Sequence, residues 1–135
     1  MKHFSGVAGH TMGTPEYTLD QAVDLFAEIE LDGIEIIWDD DYGCALPKKA
    51  SARELSDLRS RIADRGLSPC CLTPYMTQID SANDDDRQRD IDDFRRCIDT
   101  ADRLGFPFIR VYGGAYNPDT DAGIRADLED RLVDS

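Results

Sequence analysis

The chain has 135 residues, of which 41% are hydrophobic and 32% charged, as is typical of a water-soluble domain with its own core. No stretch approaches the roughly 18 consecutive apolar residues of a membrane span, and the first residues lack the pattern of a signal peptide. Without such a span we expect no membrane partner. The net charge of −13 repels phosphate backbones, so we expect no nucleic-acid partner unless a local basic groove exists. The four cysteines show no zinc or disulfide spacing, which favours a reducing cytoplasm.

The first half of the chain predicts two strand-then-helix units. An apolar run near residues 3–8 is the first strand candidate, and residues 33–38 are a strongly β-prone second one. Thr18 with Gln21, and Ser51 with Glu54, have the spacing of capping boxes that begin helices. Helical spacing predicts that each helix buries one apolar stripe: Leu19, Ala22, Val23, Phe26 and Ile29 in the first, and Leu55, Leu58 and Ile62 in the second.

The second half repeats the scheme. Strands are predicted near residues 67–73 and 106–112. The third helix begins near residues 84–86, ends at Gly105 and is expected to bury Ile91, Phe94, Ile98, Ala101 and Leu104. A fourth helix is predicted from Asp119 onward, with an inner stripe of Ile124, Leu128 and Leu132.

Strands that alternate with helices indicate an α/β protein with a parallel sheet and right-handed crossovers. The sheet belongs either to an open doubly wound fold or to a segment of a barrel. A dinucleotide-binding sheet needs a G-x-G-x-x-G loop after its first strand, and Gly6, Gly9 and Gly13 have the wrong spacing. The barrel is therefore favoured, although a complete one takes about 250 residues.

Three pieces of sequence, in this order and at this spacing, resemble the N-terminal half of the xylose isomerase-like TIM barrel superfamily. They are Gly33-Ile34-Glu35-Ile36, then Arg65-Gly66-Leu67, then Ala101–Gly105 followed by Ile109-Arg110-Val111 and Gly113-Gly114. The resemblance implies that residues 1–135 form a partial (β/α)8 barrel of about four βα units, which ends before the later strands.

The resemblance also implies a function. Its members include sugar and sugar-phosphate isomerases and epimerases that move a proton next to a carbonyl with the help of a divalent metal. Because they usually bind that metal through residues from the fifth strand onward, we expect Mn, Mg, Zn or Co only in the complete barrel. We expect no metal ligand in this chain, and no activity from it alone.

In a barrel, the active site forms where the C-terminal ends of the strands meet the following loops. That rule places six candidate substrate-binding residues at the mouth: His10, Trp38, Thr73, Tyr75, Arg110 and Tyr112. The two aromatic rings Trp38 and Tyr75 would cover the apolar face of a sugar or cyclitol, while His10 and Thr73 would bind its hydroxyls. For Trp38, Tyr75 and Tyr112, packing at the rim is an equally good interpretation.

Strand alternation sends Ile34, Ile36, Ile109 and Val111 toward the helices, and Glu35 and Arg110 into the barrel. A charge buried there alone would be costly, so we predict that Glu35 and Arg110 form an ion pair. The pair either fixes strand register or lets Arg110 orient a substrate or a catalytic carboxylate.

Two other functions stay open. An apurinic-site endonuclease of the same superfamily takes metal-binding histidines from its early strands, whereas this chain offers only His3 and His10 and is acidic. A non-catalytic half-barrel would expose two strand edges and its inner face, and would therefore associate, for example as a homo-oligomer.

Overall fold

The computed structural model describes residues 5–112 and 122–134. Strands and helices alternate along the chain as β1 (Ala8–His10), α1 (Leu19–Glu28), β2 (Gly33–Trp38), α2 (Ala52–Asp64), β3 (Ser68–Pro74), α3 (Asp84–Leu104), β4 (Phe108–Ile109) and α4 (Ala122–Asp134). Every strand pair is parallel, and the sheet order is β1-β2-β3-β4. This is the architecture of the N-terminal half of a TIM barrel, as the sequence predicted. No helix among the described residues is both long and apolar enough to span a bilayer.

Two strands differ from their predicted bounds. β1 lies at Ala8–His10, later than the predicted 3–8, and residues 1–4 of that prediction lie outside the described residues. β4 has only two residues instead of 106–112, and it begins later than predicted because the capping turn after α3 includes Phe106. Gly105 adopts a left-handed φ of 81°, and the N–H of Phe106 still donates to the carbonyl of Ala101. The buried Phe106 ring then fills the core before the strand begins.

The predicted capping boxes begin the first two helices. The N–H of Thr18 donates to Oε1 of Gln21 at 2.9 Å, and the Thr18 hydroxyl accepts from the N–H of Gln21. Ser51 and Glu54 make the same reciprocal pair, with 2.7 Å between the Ser51 nitrogen and Oε2 of Glu54. Each box satisfies two backbone donors that a helix start would otherwise leave open, so both helix starts are fixed by local sequence.

The core lies between the sheet and the helices. Ile34 and Ile36 of β2 pack there against apolar side chains of α1, α2 and α3. One residue of the predicted α3 stripe is wrong, since Ile98 is 47% exposed and Cys97 is 0% exposed, whereas Ala101 and Leu104 are buried as predicted. Ile29, which caps the end of α1, and Ile124 of α4 are also exposed rather than buried.

The opposite face of the sheet, here called the inner face, carries the other half of each strand. The alternation of side chains places on it, among others, His10, Glu35, Ile37, Cys71, Thr73, Phe108 and Arg110. Phe108 is 55% exposed on this face, and β1 and β4 each have one strand neighbour among the described residues. The expected association of such a half-barrel stays a prediction.

Candidate functional site at the strand ends

The inner face brings chemically different side chains into one row. Strand register aligns His10 of β1 with Glu35 of β2, Glu35 with Cys71 of β3, and Cys71 with Phe108 of β4. Thr73 lies one step further toward the C-terminal ends of the strands, on the same face. The predicted mouth residues His10 and Thr73 therefore meet in space although 63 positions separate them in sequence.

His10 is held at both ring nitrogens. Its Nδ1 accepts the N–H of Met12 at 3.1 Å, which caps a short 3-10 helix at Thr11–Gly13. Its Nε2 lies 3.1 Å from Oγ1 of Thr73, and this hydroxyl donates to the carbonyl of Ile36 at 3.1 Å. Because Nδ1 is an acceptor, we assign the ring proton of neutral His10 to Nε2 from this network. A hydrogen-bonded chain thus runs from His10 through Thr73 to the backbone of β2.

The surroundings of His10 favour its neutral form. Burial is the main cause that lowers the pKa of His10 below its ordinary value of 6.5. The carboxylate of Glu35 opposes this by raising the pKa, and the guanidinium of Arg110 lowers it. A neutral imidazole with a fixed tautomer is a hydrogen-bond donor of defined direction, which suits the recognition of a hydroxyl.

A second layer, made of residues outside the six candidates, supports the first. The buried hydroxyl of Thr11 accepts the N–H of Ile37 at 3.1 Å and so ties the end of β1 to β2. Ile37 packs with Cys44 and Ala45 of the β2–α2 loop and with Tyr75. Contacts from a loop are not visible in strand periodicity, so no pattern in the sequence could have placed Cys44 beside Ile37.

Three tyrosines and Arg110 form an aromatic cluster at the end of β3. The rings of Tyr75 and Tyr112 stack with centroids 5.9 Å apart, and Tyr42 lies 6.2 Å from Tyr75. The guanidinium carbon of Arg110 is 5.1 Å from the Tyr75 centroid and 5.0 Å from the Tyr112 centroid. These are cation–π distances, so Tyr75, Tyr112 and Arg110 do come together as the strand-end rule predicted.

Trp38 does not belong to this site. The side chain is 0% exposed and lies in the core on the helix side of the sheet, with Nζ of Lys48 5.7 Å from the ring centroid. Its position has the same parity as Ile34 and Ile36, so the pleat turns it toward the helices. The prediction that Trp38 covers a sugar is therefore wrong, because the ring presents no face to a ligand.

The predicted ion pair is also absent. Among the residues that the structure describes, no salt bridge joins Glu35 to Arg110, whose guanidinium instead faces Tyr75 and Tyr112. Strand β3 separates β2 from β4, which puts the two strands roughly 10 Å apart. Arg110 also lies two residues further along its strand than Phe108, the residue level with Glu35. Glu35 and Arg110 therefore lie on the same face of the sheet, as predicted, but too far apart to form an ion pair.

The described residues do not fit a metal site. In residues 5–112 and 122–134, no three His, Cys, Asp or Glu side chains are grouped so that they could hold a metal ion. Nδ1 of His10 is already engaged as an acceptor. A groove lined by Leu19, Glu54 and Arg61 lies between α1 and α2, on the helix side of the sheet rather than at the strand ends.

Parallel βα units with polar and aromatic side chains at the strand ends define the class of α/β barrels whose active sites form at that end. Residues 23–135 match the family model of the xylose isomerase-like TIM barrel, and the chain belongs to this family. Two curated relatives are each named "Probable endonuclease 4". The relative from Haloarcula marismortui is 29% identical and the one from Natronomonas pharaonis is 30% identical, each over 77 residues. The aligned part is 56% of this chain and 27% of each relative, so the chain matches about a quarter of their length.

These relatives correct one expectation. An endonuclease acts on nucleic acid, so the prediction that nucleic acid is excluded as a partner is overturned by the names of the two proteins. That prediction was based on a net charge of −13, which is a sum over the whole chain and does not describe the strand ends.

Proposed function

We propose that the complete barrel is a sugar or sugar-phosphate isomerase or epimerase, and that this chain supplies part of its substrate pocket. The observation that carries the proposal is the site at the strand ends, where the His10–Thr73 pair and the Tyr75–Tyr112–Arg110 cluster occupy the inner face. A small polyhydroxylated ligand needs directed hydrogen-bond partners together with flat apolar surfaces, and this set provides both.

Each group has a defined role in this proposal. Nε2–H of His10 donates to Thr73 in the free protein and would donate to a substrate hydroxyl in the complex. The rings of Tyr75 and Tyr112 would pack against the C–H face of the sugar. The cation of Arg110 would stabilise negative charge on an oxygen of the ligand.

Isomerisation and epimerisation move a proton next to a carbonyl, which requires an acid and a base. The divalent metal expected for the complete barrel would polarise that carbonyl. The described residues of this chain do not fit such a metal. Their share in the reaction is to bind and orient the substrate.

A second candidate is action on nucleic acid. The names of the two relatives favour it, and the sugar of an abasic site is itself a small hydroxylated ring. The two candidate ligands differ in the surface that they need, because a sugar can bind at the strand ends alone, whereas a duplex must also contact surfaces beyond them.

The test is a titration of the protein with polyols, monitored through the NMR signals of the His10 ring. Fructose, glucose and myo-inositol should each shift the His10 signals, and Thr73→Val should weaken that binding several-fold. Thr77→Val changes an exposed threonine that follows the same strand, so it is the matched control and should bind as the unaltered protein does. Unmoved His10 signals at saturating polyol would refute the proposal. Displacement of bound polyol by an abasic-site duplex, but not by an intact duplex, would favour the second candidate.

A further inference from the structure

The backbone pairing of β3 and β4 determines the face of the sheet to which the side chain of Arg110 points. The N–H of Arg110 donates to the carbonyl of Leu72 at 3.0 Å, which continues the β3–β4 pairing past Ile109. Ile109 packs against the core on the helix side. Alternation therefore directs Arg110 to the inner face, at the same end of the strands as His10 and Thr73.

One edge of the guanidinium lacks acceptors among the residues that the structure describes. Nε and Nη2 of Arg110 are both buried from solvent, and neither has a hydrogen-bond partner in the described part of the chain. The N–H bonds on these two atoms run parallel, so they form the edge that binds two oxygens of a carboxylate or phosphate at once. Leaving two donors dehydrated and unpaired is costly, which indicates that another group completes the site.

The neighbouring rings stabilise the charge without satisfying these donors. Tyr75 and Tyr112 lie at cation–π distance from the guanidinium carbon, and a ring face is a poor substitute for an oxygen acceptor. Several other arginines among the described residues are paired with carboxylates. Arg61 bonds Asp24 at 2.6 Å, and Arg96 pairs with Asp93. Arg110 thus contacts two aromatic rings, and no carboxylate of the described residues lies on its Nε–Nη2 edge.

We propose that the Nε–Nη2 edge of Arg110 is a subsite for an oxyanion, carried by the phosphate or carboxylate group of the sugar substrate. The inference rests on the proposed function and narrows it to anionic sugars. The Tyr75–Tyr112 pair would then position the carbon skeleton beside the anion, and His10 with Thr73 would meet the hydroxyls.

The experiment compares glucose, glucose 6-phosphate and gluconate as ligands of the protein by isothermal titration and by NMR of the Arg110 Nε–H. Both anions should bind about tenfold or more tightly than glucose, as a charge-assisted bidentate contact allows. Arg110→Gln should remove this preference, so that the two anions bind the variant no more tightly than glucose binds the same variant. Arg110→Lys, which keeps the charge but not the parallel donors, should retain only part of it. Arg53→Gln, at an exposed arginine of α2, should retain all of it.

The outcomes separate the two proposals. If no ligand binds, the proposed function fails. If glucose binds and the anions bind no better, the function stands and the oxyanion subsite is overturned. If the anion preference survives Arg110→Gln with the circular dichroism spectrum unchanged, the anion binds elsewhere and the inference is again overturned. A stronger preference for glucose 6-phosphate than for gluconate assigns the subsite to phosphate, and the reverse order assigns it to carboxylate.

Discussion

Thr73→Val should destabilise the protein by roughly 1 to 2 kcal/mol. The side chain is 1% exposed, and valine keeps its shape, so the substitution creates no cavity. It removes the donor to the carbonyl of Ile36 and the acceptor for Nε2 of His10, each at 3.1 Å. His10 is only half-buried and regains water, so most of the cost comes from the buried carbonyl.

Urea unfolding followed by the fluorescence of Trp38 measures this change, because Trp38 is the single tryptophan of the chain and is 0% exposed. Thr73→Ser keeps the hydroxyl and should restore most of the hydrogen-bond contribution. Thr77→Val should shift stability by no more than about 0.5 kcal/mol, as is usual at exposed positions. The pKa of His10 should fall further in Thr73→Val, because the imidazolium is the stronger donor to the lost hydroxyl. An unchanged unfolding midpoint together with an unchanged His10 titration would refute the hydrogen-bonded chain.

Three further predictions concern residues around the site and the core. Burial lowers the pKa of His10 below 6.5, so on acidification His10 is protonated in the unfolded chain before it is protonated in the folded one. The contribution of neutral His10 to the free energy of unfolding is therefore present above pH 6.5 and is lost as the pH falls through the lowered pKa. Unfolding at about pH 8 and about pH 5 should show this loss in the unaltered protein and less of it in His10→Asn. Gly9→Ala should lower the free energy of unfolding by about 1 to 3 kcal/mol, since a Cβ there would lie 2.7 Å from Phe26 and Leu31. Gly13→Ala is the control, because a Cβ at Gly13 meets nothing within 4 Å. Equal thermal midpoints of the two variants would contradict the close packing at Gly9. Asp93→Asn should cost about 1 to 3 kcal/mol in thermal unfolding because it breaks the half-buried contacts to Lys48 and Arg96, while Asp92→Asn, at an exposed pair with Arg95, should cost less than about 1 kcal/mol.

Local sequence was sufficient where the determining contacts are local. The capping boxes at Thr18 and Ser51 bond residues three positions apart, and both helices begin there. The order of parallel strands follows from the alternation of elements. One position of α3 was misassigned because Ile98 is more apolar than Cys97, yet the shorter Cys97 side chain occupies the buried stripe.

The errors at the site have a different origin. The alternation of side chains along β2 would have placed Trp38 on the helix side with Ile34 and Ile36, but its position at a strand end suggested a residue of the barrel mouth. Parity correctly placed Glu35 and Arg110 on one face, yet their separation across β3 depends on strand order and register together. The Tyr42–Tyr75 contact involves the β2–α2 loop, whose course is fixed by packing and not by periodicity.

Net charge predicted the wrong class of partner because it is summed over the whole chain and does not describe the local charge at the strand ends. Acidic residues of α3, such as Asp84, Asp85 and Asp92, are exposed on the helix surface, where salt screens them within a few ångströms at high ionic strength. The strand ends carry a different set, in which the cation of Arg110 and the neutral ring of His10 lie on the same face as Glu35. A ligand bound at the strand ends responds to these nearby groups far more than to carboxylates on the outer helices. Under the proposed function, the affinity for an anionic sugar would depend on the two donors of Arg110, and a net charge of −13 does not exclude such a ligand there.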